Sequence, residues 1–533
     1  MSLADIRAQG LRNWYKRTTG LELSESVDSL RGQQEDAIEW ALGQKAPYLL
    51  INAPTGTGKT LINLVYAAMM TDRWTYAVNT IRLQNQVADT LPDLPILTGR
   101  ANHPCLISDE LYGFDVSAAK GKCVWGEDCE VQHECPYYLQ LWAATEGYQR
   151  VTNYSMFLAL APLRYGGLTQ VLIGDEAHNV EEVVAASQEV RFDLWTLRRA
   201  GYGFPSKTPK DINGWRSWAF GARNALARRE RSPEVFAVRD SVNKLLTLST
   251  KCPHESLVVQ FNGRTLTVRP LFGSPFVLPQ LLGHHYPPEG SSLLDRTDVK
   301  YATPRKVLFT SATLLGADYI ANMLGLPSDS WAYLDMPSVF PPTNRPIYFS
   351  PVQGMSKFNM ADPDMRVVMS EAIDHLISNY VERSEPWGVV HAVSNSYRDL
   401  ILTESRWRGI MTADTDEHST RVGQGSPSVL VASNVTEGWD GYDSLCRFVI
   451  IPKVPFPDLG DEWTRQRQKL NSLTYDHTAL VNVIQGAGRG VRHSHDYAET
   501  WILDANWDAL YRRRKGWLPK SFTDAYHHGV PIP

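Results

Sequence analysis

The sequence predicts an α/β protein of two tandem parallel-sheet domains, with a cysteine-bearing insertion and a mainly helical insertion in the first. Three observations carry this. A phosphate-binding loop, Ala53-Pro54-Thr55-Gly56-Thr57-Gly58-Lys59-Thr60, follows one short apolar run. An acidic box, Asp175-Glu176-Ala177-His178, follows another. Similar runs recur in two sets, split near Pro341-Pro342, each run leading into a helical pattern. Continuous apolar strands alternating with helices indicate parallel sheets covered on both faces.

In order, the first set comprises Tyr48–Ala53, Thr75–Val78, Val171–Gly174 and Val307–Thr310. The second comprises Gly388–His391, Val429–Ala432, Phe448–Ile451 and Trp501–Leu503. Two stretches break the rhythm and read as insertions. Residues 100–145 hold four of the six cysteines, and 188–255 are helical in pattern and rich in arginine. The first domain is then expected in three parts, 1–99, 146–187 and 256–337, and the second over 338–533. Asn262-Gly263, between Leu257-Val258-Val259 and Leu266-Thr267-Val268, is a hairpin signal.

The chain has 533 residues, too many for one core, since domains usually run to ~100–200. The net charge of -5 does not decide nucleic-acid binding, which depends on local charge. Met1 to Tyr15 is polar and lacks the apolar stretch of a secretory signal. No apolar run reaches the ~18 residues that span a bilayer. A cytoplasmic, reducing setting without membrane partners is therefore expected, in which clustered cysteines are more often metal ligands than disulfides.

The phosphate-binding pattern is complete except at its first position, where Ala53 replaces the usual glycine. Thr55, Gly56, Thr57 and Gly58 supply backbone that wraps anionic oxygens, and the helix beginning near Lys59 adds its positive end. Lys59 is expected at the β- and γ-phosphates of ATP, and Thr60 on Mg²⁺. Asp175, ending a buried strand, would hold the same ion through water, and Glu176 would orient or deprotonate the attacking water. In Gln485-Gly486-Ala487-Gly488-Arg489-Gly490-Val491-Arg492 the two arginines share a helical face, as fingers for phosphoryl charge would.

In this order the motifs resemble those of the iron–sulfur XPD/DinG group of superfamily 2 helicases, over most of the chain. Arg31-Gly32-Gln33-Gln34 is similar to the adenine-reading Q motif, with Gln34 the matching residue. Thr80-Ile81-Arg82-Leu83-Gln84-Asn85-Gln86 resembles motif Ia, Ser311-Ala312-Thr313 motif III, and His391-Ala392-Val393-Ser394 motif IV. Glu437-Gly438-Trp439-Asp440 resembles motif V, which adds Asp440 to the nucleotide-binding set, and 485–492 resembles motif VI. The resemblance implies two RecA-like domains with ATP between them. It assigns hydrolysis to Lys59, Asp175, Glu176, Gln485, Arg489 and Arg492.

The resemblance also implies a [4Fe–4S] cluster on Cys105, Cys123, Cys129 and Cys135, which fall between motifs Ia and II as the family's ligands do. Four thiolates suit such a cluster. Zinc is the competing metal, with His103 and His133 as alternative ligands, although the close cysteine pair usual in zinc sites is absent. Residues 194–232 carry nine lysines and arginines against Asp211 and Glu230, with Trp195, Tyr202, Trp215 and Trp218 interleaved. This pattern fits either a single-strand path or a solvated face over core tryptophans. The family's arch domain occupies this slot. The function implied is an ATP-dependent DNA helicase moving 5′→3′ on single-stranded DNA, with forked duplex as substrate. An ATP-driven translocase or protein-displacing remodeller with little unwinding is the alternative.

Overall fold

The computed structural model describes residues 2–107, 115–125, 128–160, 169–230, 232–282, 304–356, 359, 361–433, 446–491 and 496–533. The strands in chain order are β1 (Tyr48–Asn52), β2 (Trp74–Val78), β3 (Ile96–Leu97), β4 (Gln149–Asn153), β5 (Val171–Asp175), β6 (Val190–Asp193), β7 (Leu257–Phe261), β8 (Thr265–Pro270) and β9 (Lys306–Ser311). They continue with β10 (Trp331–Asp335), β11 (Ile347–Gln353), β12 (Trp387–His391), β13 (Met411–Thr412), β14 (Ser428–Ala432), β15 (Phe448–Ile451), β16 (Glu499–Asp504) and β17 (Tyr526–His528).

Among the described residues these form two parallel sheets, ordered β10-β1-β9-β5-β2-β4-β3 and β13-β14-β12-β15-β16-β11-β17. All eight apolar runs read from the sequence are strands of these sheets. Their continuous hydrophobicity has a direct cause, because successive side chains point to opposite faces and both faces are covered. Along β1, Tyr48 and Leu50 join one core cluster, whereas Leu49 and Ile51 join the other. The second sheet has its own pair of clusters. Among the described residues, no helix is long and apolar enough to cross a membrane.

A third, antiparallel sheet, β6-β8-β7, corrects one boundary. The hairpin after residue 255 does not join the first lobe's sheet; β8 pairs with β6, inside the expected insertion. The physical reason is one-sided burial. Alternate residues of β8, Leu266, Val268 and Pro270, are buried, and the first two pack into the cluster that holds the insertion helices. A central parallel strand would be buried on both faces. The turn is also offset from the Asn-Gly expectation. Asn262 N–H donates to Thr265 O, so Gly263, at φ 84°, and Arg264 are the central residues.

Three capped helices complete the insertion. Asp193 accepts from Thr196 N, Asp211 from Gly214 N, and Ser232 from Val235 N, ahead of Leu194–Arg199, Ile212–Leu226 and Pro233–Lys251. Trp215 and Trp218 are buried in an aromatic cluster with Phe204, which settles their role as core. Trp195 is 64% exposed. In the C-terminal basic run, Arg513 and Arg514 both pair with Asp476 rather than standing as solvated charges.

Candidate active site

The order of the first sheet builds the site. Because β9 lies between β1 and β5, the segments leaving their C-terminal ends stand side by side: the phosphate loop, Ser311-Ala312-Thr313 and the acidic box. Crevices at that edge are where open parallel sheets bind ligands.

The loop runs from β1 into the helix Lys59–Met70. Gly56 and Gly58 sit at φ 82° and 77°, a region that glycine enters without the Cβ penalty. Ala53, where the pattern usually has glycine, is fully buried against the sheet, with its N–H donating to Ser311 O. Two side chains brace the loop from behind. Gln34 Nε2 donates to Thr57 O at 2.9 Å, and Arg31 Nη1 to Gly56 O at 3.0 Å. Gln34 Oε1 accepts from Arg31 N, so both ends of its amide are engaged within the protein. Lys59 Nζ is 3.5 Å from Ala53 O and 4.0 Å from Glu176 Oε1.

Asp175 is buried at the end of β5, with Tyr76 OH donating to Oδ2 at 2.8 Å and Thr310 Oγ1 to Oδ1 at 3.1 Å. Asn63 supports both partners, its Nδ2 lying 3.0 Å from Tyr76 OH and 2.9 Å from Thr310 Oγ1. Burial, reinforced by the neighbouring Glu176 charge, raises the Asp175 pKa. Glu176 is partly buried, and desolvation pushes its pKa up, but Lys59, His178, Ser311 and Arg489 outweigh that and lower it. Glu176 takes the left-handed conformation, φ 48°, which residues other than glycine seldom adopt. That turn aims its carboxylate at Ser311, whose Oγ donates to Oε2 at 3.1 Å.

The chain of contacts then crosses between lobes. His178 Nδ1 lies 2.7 Å from Ser311 Oγ, and its Nε2 lies 3.1 Å from Gln485 Nε2. Gln485 stands on the helix Ser472–Ala487 of the second lobe. Lys59, Thr60, Asp175, Glu176, Gln485 and Arg489 thus line one cleft of about 600 Å³, which Thr55, Gly56 and Gly58 also border. Arg345, braced by Phe340 O and Ser521 O, borders it from the interlobe connection. Asp440 and Arg492 lie outside the described residues.

The hydroxyl of Thr60 and the carboxylate of Asp175 both border the cleft. Hard oxygen donors of this kind suit Mg²⁺. The cysteines are only partly gathered. An added Cβ on Gly121 would stand 3.3 Å from Cys105 Sγ and 3.6 Å from Cys123 Sγ, so these two sulfurs share one small space. Arg100 Nη1 lies 3.5 Å from Cys123 Sγ. Cys135 caps the helix Pro136–Glu146, and Cys129 lies in the turn before it. Among the described residues, no three metal-ligating side chains converge.

Sequence reasoning missed Tyr76, Asn63 and Thr310 as the supports of Asp175, and Arg31 and Arg345 as supports of the cleft. A polar residue inside a buried, otherwise apolar stretch, as Asn63 is within residues 62–68, is the signal that was present.

Comparison with known proteins finds likeness in sequence and in fold. A profile of the helicase C-terminal domain matches residues 389–524. The ATP-dependent DNA helicase chl-1 of Caenorhabditis elegans is 26% identical over 165 residues, which cover 29% of this chain and 19% of that protein. The ATP-dependent DNA helicase chl1 of Schizosaccharomyces pombe is 28% identical over 159 residues, 26% of this chain and 19% of that one. The matched stretch spans about a fifth of the length of these curated relatives. An XPD helicase structure superposes with a TM-score of 0.59 at 16% identity, covering 94% of this chain and 100% of that one. An apo XPD structure gives 0.55 at 16% identity, covering 93% and 100%. At such identities the structural likeness is one of fold.

Proposed function

We propose that this chain, XPD/DinG-like within helicase superfamily 2 in sequence and fold, is an ATP-dependent DNA helicase that moves on single-stranded DNA. The observation that supports it most is the cleft itself, where a phosphate loop and two carboxylates of one lobe face Gln485 and Arg489 of the other. In the proposed reaction, water attacks the γ-phosphorus, the bond to the β,γ-bridging oxygen breaks, and ADP and phosphate result. Glu176, held ionised by Lys59 and His178, takes the proton of the attacking water. Lys59 and Arg489 stabilise charge on the γ-phosphoryl oxygens, and Arg492 and Asp440 complete this set by resemblance. Thr60 and Asp175 would hold Mg²⁺, which would neutralise charge between the phosphates.

Loss of the γ-phosphate removes the bridge between Lys59 and Arg489, so the lobes loosen and a strand held across both can advance. The 5′→3′ direction, the forked duplex substrate and the arch-like role of residues 188–255 rest on the resemblance. Cys105, Cys123, Cys129 and Cys135 would hold a [4Fe–4S] cluster that braces a segment too small to build its own core.

ATP hydrolysis is expected to rise with single-stranded DNA, and Lys59→Ala to reduce it by about 10²-fold or more. Forked DNA and RNA substrates with 5′ or 3′ tails check unwinding and direction. ATP turnover that ignores every nucleic acid supplied would overturn the proposal; translocation without strand separation would favour a remodeller.

A further inference from the structure

The contact between the lobes continues past the nucleotide cleft into residues that hydrolysis does not use. Glu181 stands on Val180–Ser187, the helix that leaves the acidic box, and Arg467 on Glu462–Leu470 of the second lobe. Their side chains, only 6% and 12% exposed, form an ion pair. The other oxygen of Glu181 accepts from Gly273 N at 2.5 Å. The Arg467 guanidinium lies 4.7 Å from the ring of Trp463 and 5.3 Å from that of Phe272. Arg269 lies 4.1 Å from the same Trp463 ring, and Trp463 Nε1 donates to Pro270 O at 3.0 Å.

An aromatic contact backs the pair. Tyr319 of the first lobe stacks on Trp517 at 4.8 Å and lies 4.7 Å from His477, both of the second. An added Cβ on Gly316 would stand 2.9 Å from the Trp517 ring, so the indole lies directly on the backbone after Ser311-Ala312-Thr313. A buried ion pair is a rigid contact, because parting it strands two unsolvated charges.

The elements involved are those of the catalytic bridge. Val180–Ser187 begins two residues after His178. Glu462–Leu470 leads through Asn471 into Ser472–Ala487, which carries both His477 and Gln485. We propose that the Glu181–Arg467 pair positions the second lobe for hydrolysis, registering Ser472–Ala487 against the acidic box so that Gln485 meets His178 and Arg489 enters the cleft. Arg467 is thus a positioning residue, touching no reacting group. The inference rests on the reading of the cleft as an ATP-hydrolysing one.

The test compares wild type, Arg467→Lys, Arg467→Met and the double variant Glu181→Gln/Arg467→Met in DNA-stimulated ATP hydrolysis. The double variant keeps side-chain length yet leaves no lone buried charge, so it is expected to disturb the fold less than Arg467→Met alone. Its kcat is expected to fall about tenfold to a hundredfold, as small misplacements of reacting groups do. KM for ATP should change less than about twofold, since ground-state contacts remain. Arg467→Lys should recover part of the loss. A double variant that melts with wild type and keeps wild-type kcat overturns the proposal. So does one that loses its fold, because the pair would then be a stability element. A wild type inert towards ATP would instead sink the reading of the cleft, which separates the two failures.

Discussion

Asp175 and Glu176 are adjacent in sequence yet take opposite electrostatic courses. Asp175 faces neutral hydroxyls in a buried strand end, beside a second carboxylate, and its pKa rises. Glu176, turned by its left-handed backbone, is partly desolvated but faces Lys59, His178 and Arg489, which lower its pKa. Two carboxylates with divergent environments are a usual basis for dividing roles, which in the proposed reaction are cation binding and water activation. Gly58 shows how narrow the tolerance is. At φ 77°, an added Cβ would stand 2.3 Å from Gln34 Nε2, the amide that holds Thr57 O. Gly58→Ala combines this clash with a left-handed backbone cost of about 1–2 kcal/mol. ATP binding is expected to weaken by about tenfold or more, read by titration with a fluorescent ATP analogue. Unchanged affinity would show that the loop accommodates the methyl group. Lys59, Asp175 and Glu176 were legible because the motif spacing names them. Tyr76 and Thr310 were not, because an isolated polar residue in a strand does not announce its partner across the sheet.

At the scale of elements, buried parallel strands were the most legible feature, since burial on both faces leaves an uninterrupted apolar run. β4 escaped notice because its own residues, Gln149-Arg150-Val151-Thr152-Asn153, are mostly polar and its burial comes from neighbouring strands. The tryptophans of the arginine-rich insertion show the limit of composition. Basic residues and aromatics mixed in one segment describe a nucleic-acid surface and an amphipathic helix equally well. Packing decides, with Trp215 and Trp218 turned inward while Arg198, Arg223 and Arg228 are exposed. The cysteine segment is the element whose chemistry is most readily tested. Protein purified without oxygen is expected to contain iron and sulfide and to absorb broadly near ~400 nm. Cys123→Ser, which removes the sulfur beside Arg100 and Cys105, should lose most of both. Zinc in place of iron, or a variant with full iron content, would refute the assignment.

For the whole molecule, two histidines make acid stability informative. Burial and the Arg489 charge push His391 down to about 4. Burial, with His178 and Arg467 nearby, pushes His477 down to about 3. Each stays neutral in the folded protein while the unfolded chain takes up a proton near pH 6.5, so its stabilisation falls as pH drops below that value. Between pH 6.5 and 5 the loss is about 2 kcal/mol per histidine. Asp175, Glu181 and Asp504, whose pKa values are raised, act in the opposite direction, so the variant rather than the wild type isolates the effect. Urea unfolding of His391→Asn at both pH values should show a fall shallower by that amount. An identical slope would mean that His391 does not stay neutral in the fold.

Local chemistry fixes the phosphate loop, the acidic box and the two sets of apolar strands, because each depends on residues close together in the chain. Distance along the chain hides the rest. Strand order alone places Thr310 and Ser311 between the loop and the box, although they are more than two hundred residues from the first of these. Lobe packing alone brings Gln485 to His178 and Arg467 to Glu181. Such contacts arise only when whole sheets and their helices dock, since burial of entire faces, rather than any local preference, sets their partners.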